Sequence, residues 1–266
     1  MNLHGGALLR FGFALLLAAA GTARAQEIVA LPTRPGVTQS FFIARMQARA
    51  PQAVAVLFVG GGGNIRLGMQ AGKPKFRDGN FLPRARREFI RNGVLPVVMD
   101  APTDQQPRMS EAYRSSEEQN ADVRAVVKEL RRRYPALPVF LVGTSRGTIS
   151  VAYLARALGA QVDGAVLTSS LFGQRWRPVL SAFDWSRVKV PLLLVHHRED
   201  RCPATPYSEA QRLGATLPLV SVKGGKAPES GPCEPFAAHG YYGKEPETVD
   251  AICRWMLKQP FPRDID

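Results

Sequence analysis

Metal and redox chemistry have little to work with in this chain. Of 266 residues only four are histidine and three are cysteine. There is no C-x-x-C pair and no histidine cluster at metal-ligand spacing, so neither a metal nor a cofactor is expected. Long apolar runs are missing too. The longest, residues 11–20, is about half of what a bilayer-spanning helix needs, which argues against a permanent membrane anchor. No internal repeat or low-complexity block occurs, which excludes solenoids and propellers. Acidic residues are scarce, 22 against 35 Lys and Arg, for a net charge of +13. The basic excess is nevertheless dispersed. Arg84, Arg87 and Arg91 recur at helical spacing opposite Ala85 and Phe89, as on a solvated helix face. Arg131, Arg132 and Arg133 close another helical pattern, where cations complement the helix dipole. Dispersal of this kind argues for solubility and against a nucleic-acid partner.

What is present begins with a targeting pattern. Arg10 precedes the apolar run, and Ala23-Arg24-Ala25 forms an A-x-A cleavage site before Gln26. Residues 1–25 therefore read as a signal peptide, and residues 26–266 as one exported domain. Removing Arg10 and Arg24 leaves 33 basic against 22 acidic residues, or +11. About 240 residues suffice for a single large core. In an oxidising compartment two of the three cysteines should pair. Cys253 sits with Val249, Ile252 and Met256 on the apolar face of a helical pattern, as a small hydrophobe would. Sequence permits three pairings; loop positions favour Cys202 with Cys233.

Periodicity gives alternating strands and helices. Residues 41–45 read as an edge strand. Residues 53–59, a continuous apolar run, read as a strand buried on both faces. Further strands are expected at 94–99, 139–142, 163–168, 192–196 and 219–222. Helices are expected at 82–92, ending at Gly93, and at 116–134, 147–158, 205–214 and 247–258. Such alternation implies an α/β fold with a parallel sheet covered on both faces. Residues 60–80, 101–115 and 170–188 break the pattern. Each follows a strand, at the carboxyl edge where open sheets bind ligands. The third stretch holds Trp176, Phe183 and Trp185, which either line an acyl pocket or pin a loop.

The most informative stretch is Gly143-Thr144-Ser145-Arg146-Gly147. Coming directly after a strand and before a helix, G-x-S-x-G describes a turn tight enough to exclude side chains at both glycines. Such a turn lifts the serine hydroxyl above the sheet and directs the Arg146 N–H, at the helix start, toward an oxyanion. An acid is then expected past a later strand, and a histidine beyond it. His197-Arg198-Glu199-Asp200 follows the strand at 192–196; Asp200 is the favoured acid, with Glu199 open as the alternative. His196 and His197 precede the acid, which leaves His239, in Ala238-His239-Gly240, as the base. A Cys202–Cys233 bridge would tie the acid loop to the histidine loop, closing about thirty residues worth on the order of 3–4 kcal/mol. A second oxyanion donor is expected from Gly60-Gly61-Gly62-Gly63, after the strand at 53–59. Gly61 is the chosen donor, with Gly62 and Gly63 open. The absence of G-K-[ST] sets aside a phosphate loop.

These residues resemble the α/β-hydrolase superfamily over essentially the whole chain after residue 25. The resemblance implies an eight-stranded, mostly parallel sheet with helices on both faces, and Ser145 after the fifth strand. It also implies hydrolysis through an acyl-enzyme. The chain departs from the pattern in lacking the His of the H-G-G-G oxyanion loop and any long insertion after the sixth strand. A small or absent lid suits small or extended, accessible esters, polymeric ones included. The expected activity is that of an exported serine hydrolase acting on carboxylic esters. Peptidase or amidase and thioesterase activities use the same triad, and a catalytically silent envelope-polymer-binding protein is the reading from another class.

Overall fold

The computed structural model describes Met1 and residues 26–46, 50–173 and 180–266. The chain enters through a hairpin of β1 (Glu27–Arg34) and β2 (Val37–Ile43). Next come β3 (Ala53–Phe58), a small hairpin of β4 (Gly68–Gln70) and β5 (Lys73–Lys75), and the short helices α1 (Phe81–Arg84) and α2 (Arg86–Arg91). Then follow β6 (Val94–Met99), α3 (Glu111–Arg114), α4 (Glu117–Arg133), β7 (Val139–Thr144), α5 (Gly147–Leu158) and β8 (Gly164–Thr168). The remainder is β9 (Leu192–His197), α6 (Tyr207–Gly214), β10 (Leu219–Val222), α7 (Glu245–Met256) and β11 (Asp264–Ile265).

Nine strands form the main sheet in the order β1-β2-β6-β3-β7-β8-β9-β10-β11. The β1–β2 and β2–β6 pairs are antiparallel, and all the others are parallel. Two corrections to the sequence reading follow. The sheet has a ninth strand, β11, too short to carry a pattern and added to the edge by its pairing with β10. The amino-terminal edge is a full hairpin rather than one strand at 41–45. Residues 27–34 are mostly half-buried and carry Pro32, so they lack both an alternating pattern and a complete ladder.

Strand periodicity sorts the core onto two faces. In β3, Val54, Val56 and Phe58 point into one cluster with Val126 and Leu130 of α4 and Val151 and Leu154 of α5. Ala53, Ala55 and Leu57 point into the other, with Phe89 of α2 and Val249 and Ile252 of α7. Each of these buried aliphatic side chains contributes about 1.5–3 kcal/mol over its exposed state. The helix starts are legible in the sequence. Ser116 caps α4, its side chain accepting from Gln119 N. Because β6 and β7 flank β3 on opposite sides, the strand order reverses at β3. The loops after β3 and β7 therefore meet at the carboxyl edge.

Candidate active site

At the end of β7 the backbone turns through Ser145, whose φ is +52°. A non-glycine residue in this left-handed region costs energy and persists only where its surroundings hold it. They do so here: Ser145 N donates to Thr168 O at 3.0 Å, and Thr148 N donates to Ser145 O at 2.9 Å. The flanking glycines are required by contact. A Cβ on Gly147 would lie 2.1 Å from Phe58 O, and one on Gly143 would lie 2.6 Å from Gly147 O. The elbow is thus wedged against the end of β3.

The acid and the histidine meet beside it. His239 Nδ1 donates to Asp200 Oδ2 at 2.9 Å, with the carboxylate side chain fully buried and the imidazole 6% exposed. Asp200 accepts two more bonds, from Cys202 N at 2.9 Å and Thr205 Oγ1 at 2.8 Å. Glu199 turns the other way, its Oε2 accepting from Gly224 N at 3.1 Å. Of the two acids, only Asp200 meets His239. The Cys202–Cys233 disulfide is formed, and Cys253 is a buried free thiol. His196 and His197 serve elsewhere. His196 is fully buried, its Nε2 accepting from Ser170 N at 2.5 Å. Burial pushes its pKa down to about 4. His197 Nδ1 accepts from Glu199 N, which leaves its Nε2–H to donate to Gly224 O.

Ser145 and His239 share a small cavity of about 30 Å³ with Gly61, Asn80, Phe81 and Thr144. Among the described residues Gly61 lines it, and Gly62 and Gly63 do not. The loop carbonyls are engaged: Gly60 O accepts from Gly63 N, Gly62 O from Met109 N, and Gly61 O from Arg114 Nη2. A trans peptide points its N–H opposite its C=O, so these bonds fix the directions of the N–H groups of Gly61, Gly62 and Gly63. Arg114 is wholly buried and also donates to Ser150 Oγ of α5. Burial, followed by the nearby Arg146, lowers its pKa to about 9, still a cation at neutral pH. Arg146 itself, at the elbow, pairs its guanidinium with Glu111 of α3. Both expected oxyanion donors are therefore braced by the same four-residue helix.

Several positioning residues escaped the sequence reading. Ser169 Oγ donates to His239 O at 2.8 Å, and Tyr241 OH donates to Val195 O at 2.7 Å, which anchors the histidine turn to the sheet. Arg84, expected on a solvated face, instead donates to Pro235 O at 3.0 Å and Gly240 O at 2.9 Å, and pairs with Glu245. Its partners lie some 150 residues away in the chain, beyond the reach of helical periodicity. Phe183 is buried in the core, 5.1 Å from the Tyr153 ring and 4.7 Å from Trp185. These two aromatics pin their loop rather than line the cavity; Trp176 lies outside the described residues. A groove of about 780 Å³ between Phe42, Arg45, Arg86, Arg87 and Arg91 has no serine, cysteine or histidine among its described lining residues. A hydroxyl and an imidazole come together instead in the small cavity at Ser145. Among the described residues no cluster could hold a metal, and no helix is long and apolar enough to cross a membrane.

Known proteins share this fold. The family model for serine aminopeptidase, S33, matches residues 110–225. No curated protein sequence matches the chain. Among solved structures, an α/β serine hydrolase without lid from Xanthomonas campestris is 14% identical with a TM-score of 0.56. The match covers 88% of this chain and 94% of that one. The esterase domain of a Rhodothermus marinus protein is 13% identical, covering 88% and 99%, with a TM-score of 0.57. Dipeptidyl peptidase 4 of Porphyromonas gingivalis is 10% identical, covering 88% and 35%, with a TM-score of 0.53. At such identities the likeness is one of fold.

Proposed function

We propose that this chain is a member of the α/β-hydrolase superfamily and a serine hydrolase that cleaves carboxylic esters through an acyl-enzyme on Ser145. One observation carries the reading. A serine held in the left-handed region shares a water-sized cavity with a histidine whose Nδ1 is bonded to a buried carboxylate.

In the proposed cycle His239 takes the Ser145 proton as the hydroxyl attacks the ester carbonyl. Asp200 stays ionised, fixing the imidazole tautomer and stabilising the imidazolium. The oxyanion rests on the N–H groups of Arg146 and Gly61, each such donor stabilising it by roughly 3–4 kcal/mol. His239 then protonates the departing alcohol and, in the second half, activates water to release the acid.

The test is labelling by a fluorophosphonate together with a chromogenic ester panel of increasing acyl length. Wild type is expected to be labelled and active, and Ser145→Ala neither; equal labelling of both proteins would sink the reading. The serine aminopeptidase match supports a second reading, an amidase on the same three residues. Anilides of matched acyl groups decide between them. Export belongs to the same proposal. A disulfide supports an oxidising compartment, and residues 1–25, of which 2–25 lie outside the described residues, carry the signal-peptide pattern.

A further inference from the structure

Asn80 sits immediately before α1, the position where an asparagine side chain usually accepts a helix N–H. Here it makes no cap bond. Its Oδ1 is buried without a hydrogen-bond partner among the described residues. The side chain is thus not held by the helix, and it lines the cavity of Ser145, Gly61 and His239. Its amide also lies close to the nucleophile. A single methyl group placed on Gly60 would touch Ser145 Cβ at 3.1 Å and Asn80 Nδ2 at 3.4 Å. The cavity itself, about 30 Å³, is on the scale of one or two water molecules, enough for one substrate oxygen.

We infer that Asn80 is a third donor to the substrate oxygen in this cavity, its Nδ2–H bonding the oxyanion formed when Ser145 attacks. The inference rests on the ester-hydrolase reading of Ser145. The carboxamide is kept uncommitted in the free protein, and its bond is made when negative charge develops on the carbonyl oxygen. A group preorganised this way acts on the transition state more than on the bound ester.

The test compares Asn80→Ala, Asn80→Asp and Asn80→Ser with wild type, using a short chromogenic ester, a trifluoromethyl ketone inhibitor and thermal melting. Asn80→Ala should lower kcat on the order of 100-fold with KM within about threefold. Inhibitor affinity should fall in parallel with kcat/KM. Asn80→Asp should be worse still, since a carboxylate there repels the oxyanion. Stability should not fall, because the side chain removed was unpaired; an equal or higher Tm is expected for Asn80→Ala. Variants with kcat near wild type overturn the inference, as does a kcat loss without the matching inhibitor loss. Failure of all three variants to fold assigns Asn80 a structural role and overturns it as well. If wild type hydrolyses no ester and takes no fluorophosphonate label, the ester-hydrolase reading itself has failed. Active wild type with unaffected variants removes Asn80 alone.

Discussion

Burial at His196 converts directly into a dependence of stability on pH. Its imidazole, fully buried, is shifted down to about 4 by desolvation, which the Asp200 charge opposes and the neighbouring His239 and His197 reinforce. In the unfolded chain the same group titrates near 6.5. Between these values the unfolded state binds the proton and the folded state does not. Stability is therefore complete above about pH 6.5 and falls as the pH drops toward 4, by about 3 kcal/mol from this group. His197, also shifted down by burial, acts in the same direction. Urea denaturation at pH 7, 5.5 and 4 checks this against His196→Gln, whose carbonyl oxygen can still accept from Ser170 N. The variant should lose clearly less stability across the window, and equal losses would remove His196 as the cause. At this scale the sequence was partly legible. That Ser145, Asp200 and His239 come together is legible from order and local context, because an elbow, an acid and a histidine each leave a mark at a strand end. Thr205, Asn80, Arg84 and Arg114 leave none, since their roles arise from partners brought close only by the fold.

The same distinction holds for elements. Strands β3, β6, β7, β8 and β9 are buried throughout and stood out as apolar runs. The half-buried β1 did not, and the helix expected at 82–92 proved to be two short helices meeting at Ala85. The disulfide joins two elements that have no ladder between them, the Asp200 turn and the loop leading to His239. Its cysteines are 31 residues apart, a separation worth about 3–4 kcal/mol in the chain-entropy model. Cys202 also supplies through its backbone one of the bonds to Asp200. Replacing both cysteines by serine should therefore lower stability by about that amount and reduce kcat several-fold. Thr205 still holds the carboxylate, so the loss of activity should be partial. Urea melts and kcat per titrated active site separate the two effects. An unchanged kcat would make the bridge a staple without influence on the site.

At the scale of the whole molecule, charge is the property that neither the fold nor the elbow explains. Residues 26–266 carry 33 basic and 22 acidic side chains, a net +11. Much of this charge is locally paired, as in Arg34 with Asp104 and Asp122 and Arg133 with Glu27 and Glu129. Pairing does not remove the excess, which sets a positive potential around the molecule. At the Gly60–Gly63 loop, the proposed oxyanion loop, the bias is local too. Arg108 packs against Gly62, Arg114 lies beneath Gly61, and Glu111 offsets the adjacent Arg146. Such a field raises the encounter rate with anions and leaves neutral ligands untouched, and salt screens it over about 10 Å at 0.1 M. An ester bearing a distal carboxylate should therefore show a higher kcat/KM at low ionic strength than its neutral isostere. The advantage should shrink steadily as salt is added, while kcat for both esters stays flat. Parallel salt dependence for the two substrates would show that the net charge serves solubility alone. A preference that survives high salt would instead place a specific cation in contact with the carboxylate, and Arg108, exposed beside the loop, is the first residue to replace.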